Sequence, residues 1–181
     1  MKISFLFIAL LCNNFFFTER SIFLTNKGKV SFESNAPLEL IKAKSNKLKG
    51  AIDTKNNTFA FSINIDSFNG FNNPLQREHF QENYLESDKI PKAIFTGKII
   101  EDINWKKNGK HEIRAKGKLQ IHGIERERII KSDIRINNDR IHINAKFTVL
   151  LAEHAIDIPK IVHQKIAKEI KVKIEAELNR K

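Results

Sequence analysis

The chain has 181 residues, enough for one domain with its own core, and its 41% apolar and 29% charged residues are the balance of an ordinary soluble globular protein. A formal net charge of +11 arises from lysines and arginines interleaved with acidic residues, without a basic tail; it favours anionic partners such as nucleic acid, acidic lipid or a membrane surface, and a merely solvated basic face is the plainer reading. A single cysteine, Cys12, excludes an internal disulfide.

Residues 1–20 read as an export signal. Lys2 supplies a positive start, and Ile3 to Leu11 is an apolar run too short to span a bilayer as a helix. No small-x-small cleavage pattern follows, so the mature start is placed between Cys12 and Phe23, with residues 21–181 as the folded domain. A lipidation signal wants a small residue before its cysteine, and Leu11 stands there, which weighs against an anchor through Cys12. The expected location is therefore periplasmic or secreted.

Lys29 to Glu33 forms a short strand with Val30 and Phe32 on one face, broken by Asn35, Ala36 and Pro37. Leu38 to Ala43 fits a helical turn or an extended segment. A second strand runs through Leu48, Gly50 and Ile52 to Asp53, and Lys55, Asn56 and Asn57 make a turn. Thr58 to Asp66 is a clear strand, with Phe59, Phe61, Ile63 and Ile65 on one face and small or polar residues on the other. A helix cannot satisfy a period of two.

Asn73 to Ile99 interrupts this pattern with a polar, helix-like stretch. Asn72 or Asn73 suits a helix cap, Pro74 its first turn, and Pro91 its end. Phe80 and Tyr84 lie one turn apart, while Leu75 and Leu85 fall off that line, so the segment reads as a cover and not as a core helix. Ala93 to Ile103 is a strand with bulky residues on both faces, and Lys106 to Gly109 signals a hairpin. Alternation returns with Ile113, Ala115, Gly117, Leu119 and Ile121, followed by a turn at His122 and Gly123. Ile130, Ile134 and Ile136 are in phase on the next strand, where Arg126 and Arg128 share their face. Ile141, Ile143, Ala145, Phe147 and Val149 alternate, as do Ile166, Ile170, Val172, Ile174, Ala176 and Leu178, with Lys168 out of phase.

About eight hairpin-linked strands, each with one apolar and one charged face, imply a single all-β domain. Its sheet is antiparallel and closes into a barrel or packs as two layers. Three segments then resemble the YceI-like family of exported lipid-binding β-barrels. They are Phe61 to Phe68 followed by Arg77, Glu78, His79 and Phe80 and ending in Tyr84, Leu85 and Glu86; Ile90-Pro91-Lys92-Ala93-Ile94-Phe95; and Gly117 to Ile124. The resemblance spans roughly Val30 to Leu178. It implies a lipocalin-like antiparallel barrel with a short helical insertion, holding a long isoprenoid or fatty-acyl chain in its lumen.

On that reading the lumen residues are Phe32, Phe59, Phe61, Ile63, Leu119 and Ile121, with Ile143, Phe147, Ile170, Val172 and Ile174. An unpaired charge is costly to bury, so either a bulge turns Arg126, Arg128 and Lys168 outward or they sit at a barrel mouth; the mouth is the expectation, with an anionic headgroup meeting one or more of them. Arg77, His79, Phe80, Tyr84 and Leu85 are expected to line the entrance. A filled barrel acting through its basic surface is the alternative.

No enzyme is expected. Glu78 and His79 are adjacent on a helix and do not face each other. His154, Asp157 and His163 flank Pro159 in a loop and match no metal-ligand spacing, so no metal site and no cofactor beyond a bound lipid are expected. Nucleic-acid binding wants aromatic and basic residues on one exposed face, whereas the phenylalanines lie opposite the lysines. Peripheral membrane contact fits the charge, and oligomeric state is left open, a homodimer included.

Overall fold

A computed structural model describes residues 21–181. The expected export signal, with Cys12, lies outside the described residues. Eight strands follow in chain order: β1 (Ile22–Asn35), β2 (Leu40–Asp53), β3 (Thr58–Asn64), β4 (Lys92–Ile99), β5 (Gly109–Ile121), β6 (Ile124–Asn137), β7 (Arg140–Leu150) and β8 (Glu169–Arg180). Each pairs antiparallel with the next, and β8 returns to β1, closing the barrel. Closure pairs every strand on both sides along part of its length and so protects most of its edges. The period-two alternation drives it, because only a closed or layered sheet removes the apolar faces from water.

Several elements differ from the sequence reading. The first strand is far longer than Lys29–Glu33. Its early half escapes the alternation pattern because its pairing with β2 shifts register between Thr25 and Gly28 and again between Gly28 and Val30. Leu38 to Ala43 resolves as a turn and then the start of β2. The third strand stops at Asn64, and Ile65–Ser67 turns as a 3-10 helix. The insertion's helix ends at Tyr84, well before Pro91: α1 (Pro74–His79) continues as a π-type turn over Phe80–Tyr84, and Glu86 with φ 44° stops it. Asn73 caps α1, its side chain accepting from the Gln76 amide at 2.8 Å.

Lys106 to Gly109 is not a tight hairpin. Strand β4 pairs with β5 only from Ile94↔Gln120 to Ile99↔Ala115, and the first residues of β5 pair with β6 alone. Residues 100–108 instead fold across one end of the barrel. There Ile103 and Trp105 are buried, and Trp105 Nε1 donates to Asn57 Oδ1 at 2.8 Å. His122 and Gly123 do make the expected tight turn, with φ of 49° and 74°. Strand β8 starts at Glu169, so Ile166 and Lys168 belong to the connection before it. Strands β4 and β5 approach so closely that a Cβ on Gly117 would lie 2.1 Å from the Thr96 carbonyl oxygen.

The barrel has two unlike ends. The chain's described start and the 54–57, 100–108 and 138–139 connections lie at one of them. There Phe23, Ile52, Ile134, Ile136, Ile141 and Leu178 are almost wholly buried in a continuous core with Trp105. The other end carries the β1–β2 turn, the 65–91 insertion, the His122–Gly123 turn and the 151–168 connection.

Candidate functional site

The second end is hollow. A cavity of about 480 Å³ opens there, within the range typical of small-molecule sites. Its walls come from inward positions near that end: Val30 and Phe32 of β1, Ile41 and Leu48 of β2, Phe61 and Ile63 of β3, Phe95 of β4, Leu119 and Ile121 of β5, Phe147 and Val149 of β7, and Ile170, Val172 and Ile174 of β8. Gly50 makes room for one of these walls, since a Cβ there would sit 2.1 Å from the Phe61 ring.

The insertion forms one flank. Phe32 meets Phe68, Phe71 and Phe80 at ring-centroid distances of 5.5, 6.0 and 5.3 Å, and Phe80 also packs on Phe68 and Phe71 at 5.8 and 5.1 Å. All four rings line the cavity. A smaller core of Ile65, Leu85 and Ile156, with Tyr84, Ile121 and Leu151 against it, ties the insertion to the 151–168 connection.

A polar brace joins the same parts. His122 Nε2 lies 3.0 Å from Glu86 Oε2, and its Nδ1 lies 3.2 Å from the His154 carbonyl oxygen. The Lys89 ammonium, and after it His122, hold the Glu86 carboxyl below the usual carboxylate range. His154 is itself fully buried.

Polar groups collect at the mouth. Glu39, Asn73, Gln76, His79 and Lys165 border it, and Glu39 Oε1 accepts from Gln76 Nε2 at 2.9 Å and from Asn72 Nδ2 at 3.2 Å. Ser34 Oγ accepts from the Ala167 amide at 2.9 Å. Tyr84 lines the wall, and burial raises the pKa of its hydroxyl. An apolar interior with a polar rim suits an amphiphile whose tail enters first. Among the described residues no group of three or more His, Cys, Asp or Glu side chains is placed to hold a metal ion.

The structure brings together Phe32, Phe61, Ile63, Leu119, Ile121, Phe147, Ile170, Val172 and Ile174, along with His79, Phe80, Tyr84 and Leu85 at the entrance. It places Phe59 and Ile143 elsewhere. Both are in the correct inward phase but nearer the closed end, where Phe59 is buried in the core and Ile143 packs against it.

The expected headgroup cations are also placed differently. Arg128 spans a split between β6 and β7, which pair only from Ser132↔Ala145 to Asn137↔Arg140. Its guanidinium donates to Glu153 Oε2 at 3.0 Å and to the Thr148 carbonyl at 2.7 Å, closing the seam. Arg126 is exposed outside the cavity, and Arg77 is exposed and donates to the Asp66 carbonyl at 3.2 Å. Lys168 is exposed on the connection before β8.

Sequence reasoning missed Phe68 and Phe71, which sit in irregular backbone with no periodicity, and Ile156, Val162, Lys165 and Ile166, which sit in the 151–168 connection. Large apolar residues inside a connection were the available signal. Phe95 was hidden because β4 carries bulky residues on both faces.

Comparison with known proteins places this architecture. A family model described as the YceI-like domain matches residues 24–178. A polyisoprenoid-binding domain from Saccharophagus degradans superposes with a TM-score of 0.76 at 14% identity, covering 90% of this chain and 100% of that one. Burkholderia cenocepacia BcnA gives 0.68 at 15% identity, covering 83% and 95% respectively. The Campylobacter jejuni YCEI protein gives 0.55 at 16% identity, covering 100% and 91%. These likenesses establish a shared barrel. No curated protein matches the sequence.

Proposed function

The chain belongs to the YceI-like domain family, and from that premise we propose that it is an exported carrier that holds the hydrocarbon chain of an isoprenoid or fatty-acyl amphiphile in the open half of its barrel. The observation that carries this reading is the half-hollow interior: one end is packed solid, and the other keeps an apolar cavity of about 480 Å³. Transferring an apolar chain from water into it gains about 0.8 kcal/mol per methylene. The packed end sets a stop, so the tail is threaded from the mouth and the polar end remains among Glu39, Gln76, His79 and Lys165. No step of this reading needs catalysis. The polyisoprenoid-binding description of the Saccharophagus degradans relative agrees with it.

The test is to purify the protein from cells that make it, extract it with organic solvent and identify bound lipid by mass spectrometry. An amphiphile with a long prenyl or acyl tail is expected. Val172→Trp should fill the cavity, weakening uptake of a hydrophobic fluorophore at least about tenfold, while circular dichroism shows the barrel still folded. A wild-type protein that carries no lipid and takes up no fluorophore would end the proposal. Export is checked separately by sequencing the N-terminus of protein recovered from cell fractions: a start between Cys12 and Phe23 is expected outside the cytoplasm, and an intact Met1 terminus in the cytoplasm contradicts it.

A further inference from the structure

We propose that the rim formed by the β1–β2 turn and the β7–β8 connection, together with the lysine-rich outer face beneath it, docks on an anionic phospholipid bilayer, so that the cavity mouth opens against the membrane. The proposal rests on the amphiphile-carrier reading above.

Exposed aliphatic side chains occurring singly are normal. Here three of them border one opening, while Leu24, Ile100 and Ile129 stand apart from it. Leu38 in the β1–β2 turn is 67% exposed, Leu75 in α1 56%, and Ile161 in the β7–β8 connection 90%. The three segments are stitched together. The Leu38 amide donates to the Gln164 carbonyl at 2.9 Å, and Gln76 Nε2 donates to Glu39 Oε1 at 2.9 Å. Leu75 also lines the cavity. A tail leaving a bilayer for this cavity avoids water only if these tips sit in the membrane surface.

The charge beside the tips has the matching sign. Lys160 and Lys165 flank Ile161 in sequence, and Lys165 borders the mouth; the connection's two acidic residues are Glu153, paired with Arg128, and Asp157. On the outer face of the adjoining strands, Ser31 is paired with Lys44 on one side and with Lys173 on the other, and Lys173 is paired with Lys146. One row across β2, β1, β8 and β7 therefore reads Lys, Ser, Lys, Lys. Like charges directly opposite destabilise a sheet. Lys173 is relieved in part by Glu175 at 2.8 Å, while Lys44 and Lys146 have no acidic partner among the described residues. An anionic surface would neutralise the row. Each such lysine adds attraction to a negatively charged leaflet, screened by salt. Nucleic acid fits less well, because the exposed tips are aliphatic and cannot stack on bases.

Flotation with vesicles tests this, using phosphatidylcholine alone or mixed with phosphatidylglycerol. The full mature protein should float with the anionic vesicles, release as salt rises, and ignore the neutral ones. Leu38→Asp with Ile161→Asp, and separately Lys44→Glu with Lys146→Glu, should each weaken binding at least about tenfold. All these sites are exposed, so melting temperature and fluorophore uptake should stay at wild-type values. Wild-type binding that ignores vesicle charge overturns the proposal, as does full binding by both double variants. A protein that takes up fluorophore but never floats also overturns it and leaves the carrier reading standing. A protein that floats as expected but takes up no fluorophore supports the surface and counts against the carrier reading.

Discussion

His154 illustrates how a single side chain can be structural where its chemistry looks functional. It is 0% exposed; its Nδ1 donates to the Ile124 carbonyl at 3.0 Å, and its Nε2 has no hydrogen-bond partner among the described residues. A second ring proton would therefore sit in a dry site with no acceptor. Desolvation pulls its pKa below the ordinary 6.5, against a smaller opposing pull from backbone carbonyls. The folded state thus binds this proton less readily than the unfolded chain does. Its contribution to stability is complete above the unfolded value and is lost as the pH falls below it toward the folded one. Thermal unfolding followed from about pH 8 down to about pH 5 should show a falling midpoint, and His154→Gln should flatten that fall. Glu86 does not confuse the result, because its depressed carboxyl pKa moves its own loss below the ordinary 4.5. A wild-type midpoint constant across the window would contradict this account.

At the scale of elements, the insertion is held less by its helix than by its rings. Residues 74–79 form fewer than two helical turns, with none of them buried, and so short a helix is not stable by itself. What fixes it is Phe80, wedged among Phe32, Phe68 and Phe71. Phe80→Ala should cost about 2–4 kcal/mol from lost burial and ring contacts. Hydrogen exchange should then quicken through residues 65–85 while β5 and β6 stay protected. Uniform quickening over the whole barrel would show that the insertion and barrel unfold as one unit. The element was legible in outline from Asn73, Pro74 and the break in alternation. Its docking was not, because Phe68 and Phe71 lie in a segment with no period to read.

For the whole molecule, the division into a packed and a hollow half assigns a reporter. Trp105, the sole tryptophan, is buried at the closed end and bonded to Asn57. Loading the cavity with an amphiphile should leave its emission unchanged, while urea unfolding should shift it to the red. A shift on loading would mean that the bound chain reaches the closed end. The antiparallel sheet was largely available from alternation, whose apolar phase survived most cleanly in β3 and β5, whereas the early half of β1 and the whole of β4 offered no clear phase to read.

Where the alternation was unbroken, sequence alone determined which residues face inward, because a strand's side chains alternate regardless of what surrounds it. It therefore specified an antiparallel sheet with Phe59 and Phe61 on the same apolar face, as a closed barrel or two packed layers, and the family resemblance favoured the barrel that the strand pairing then showed. Only the tertiary structure decided that Phe59 is core and Phe61 is cavity wall. That distinction depends on what arrives from elsewhere in the chain. Ile103 and Trp105 fold under one end and fill it, whereas the insertion and the 151–168 connection ring the other end and leave its centre empty. The in-phase charge at Arg128 followed the same logic: alternation gave its direction, and a split between β6 and β7 gave it a place to go.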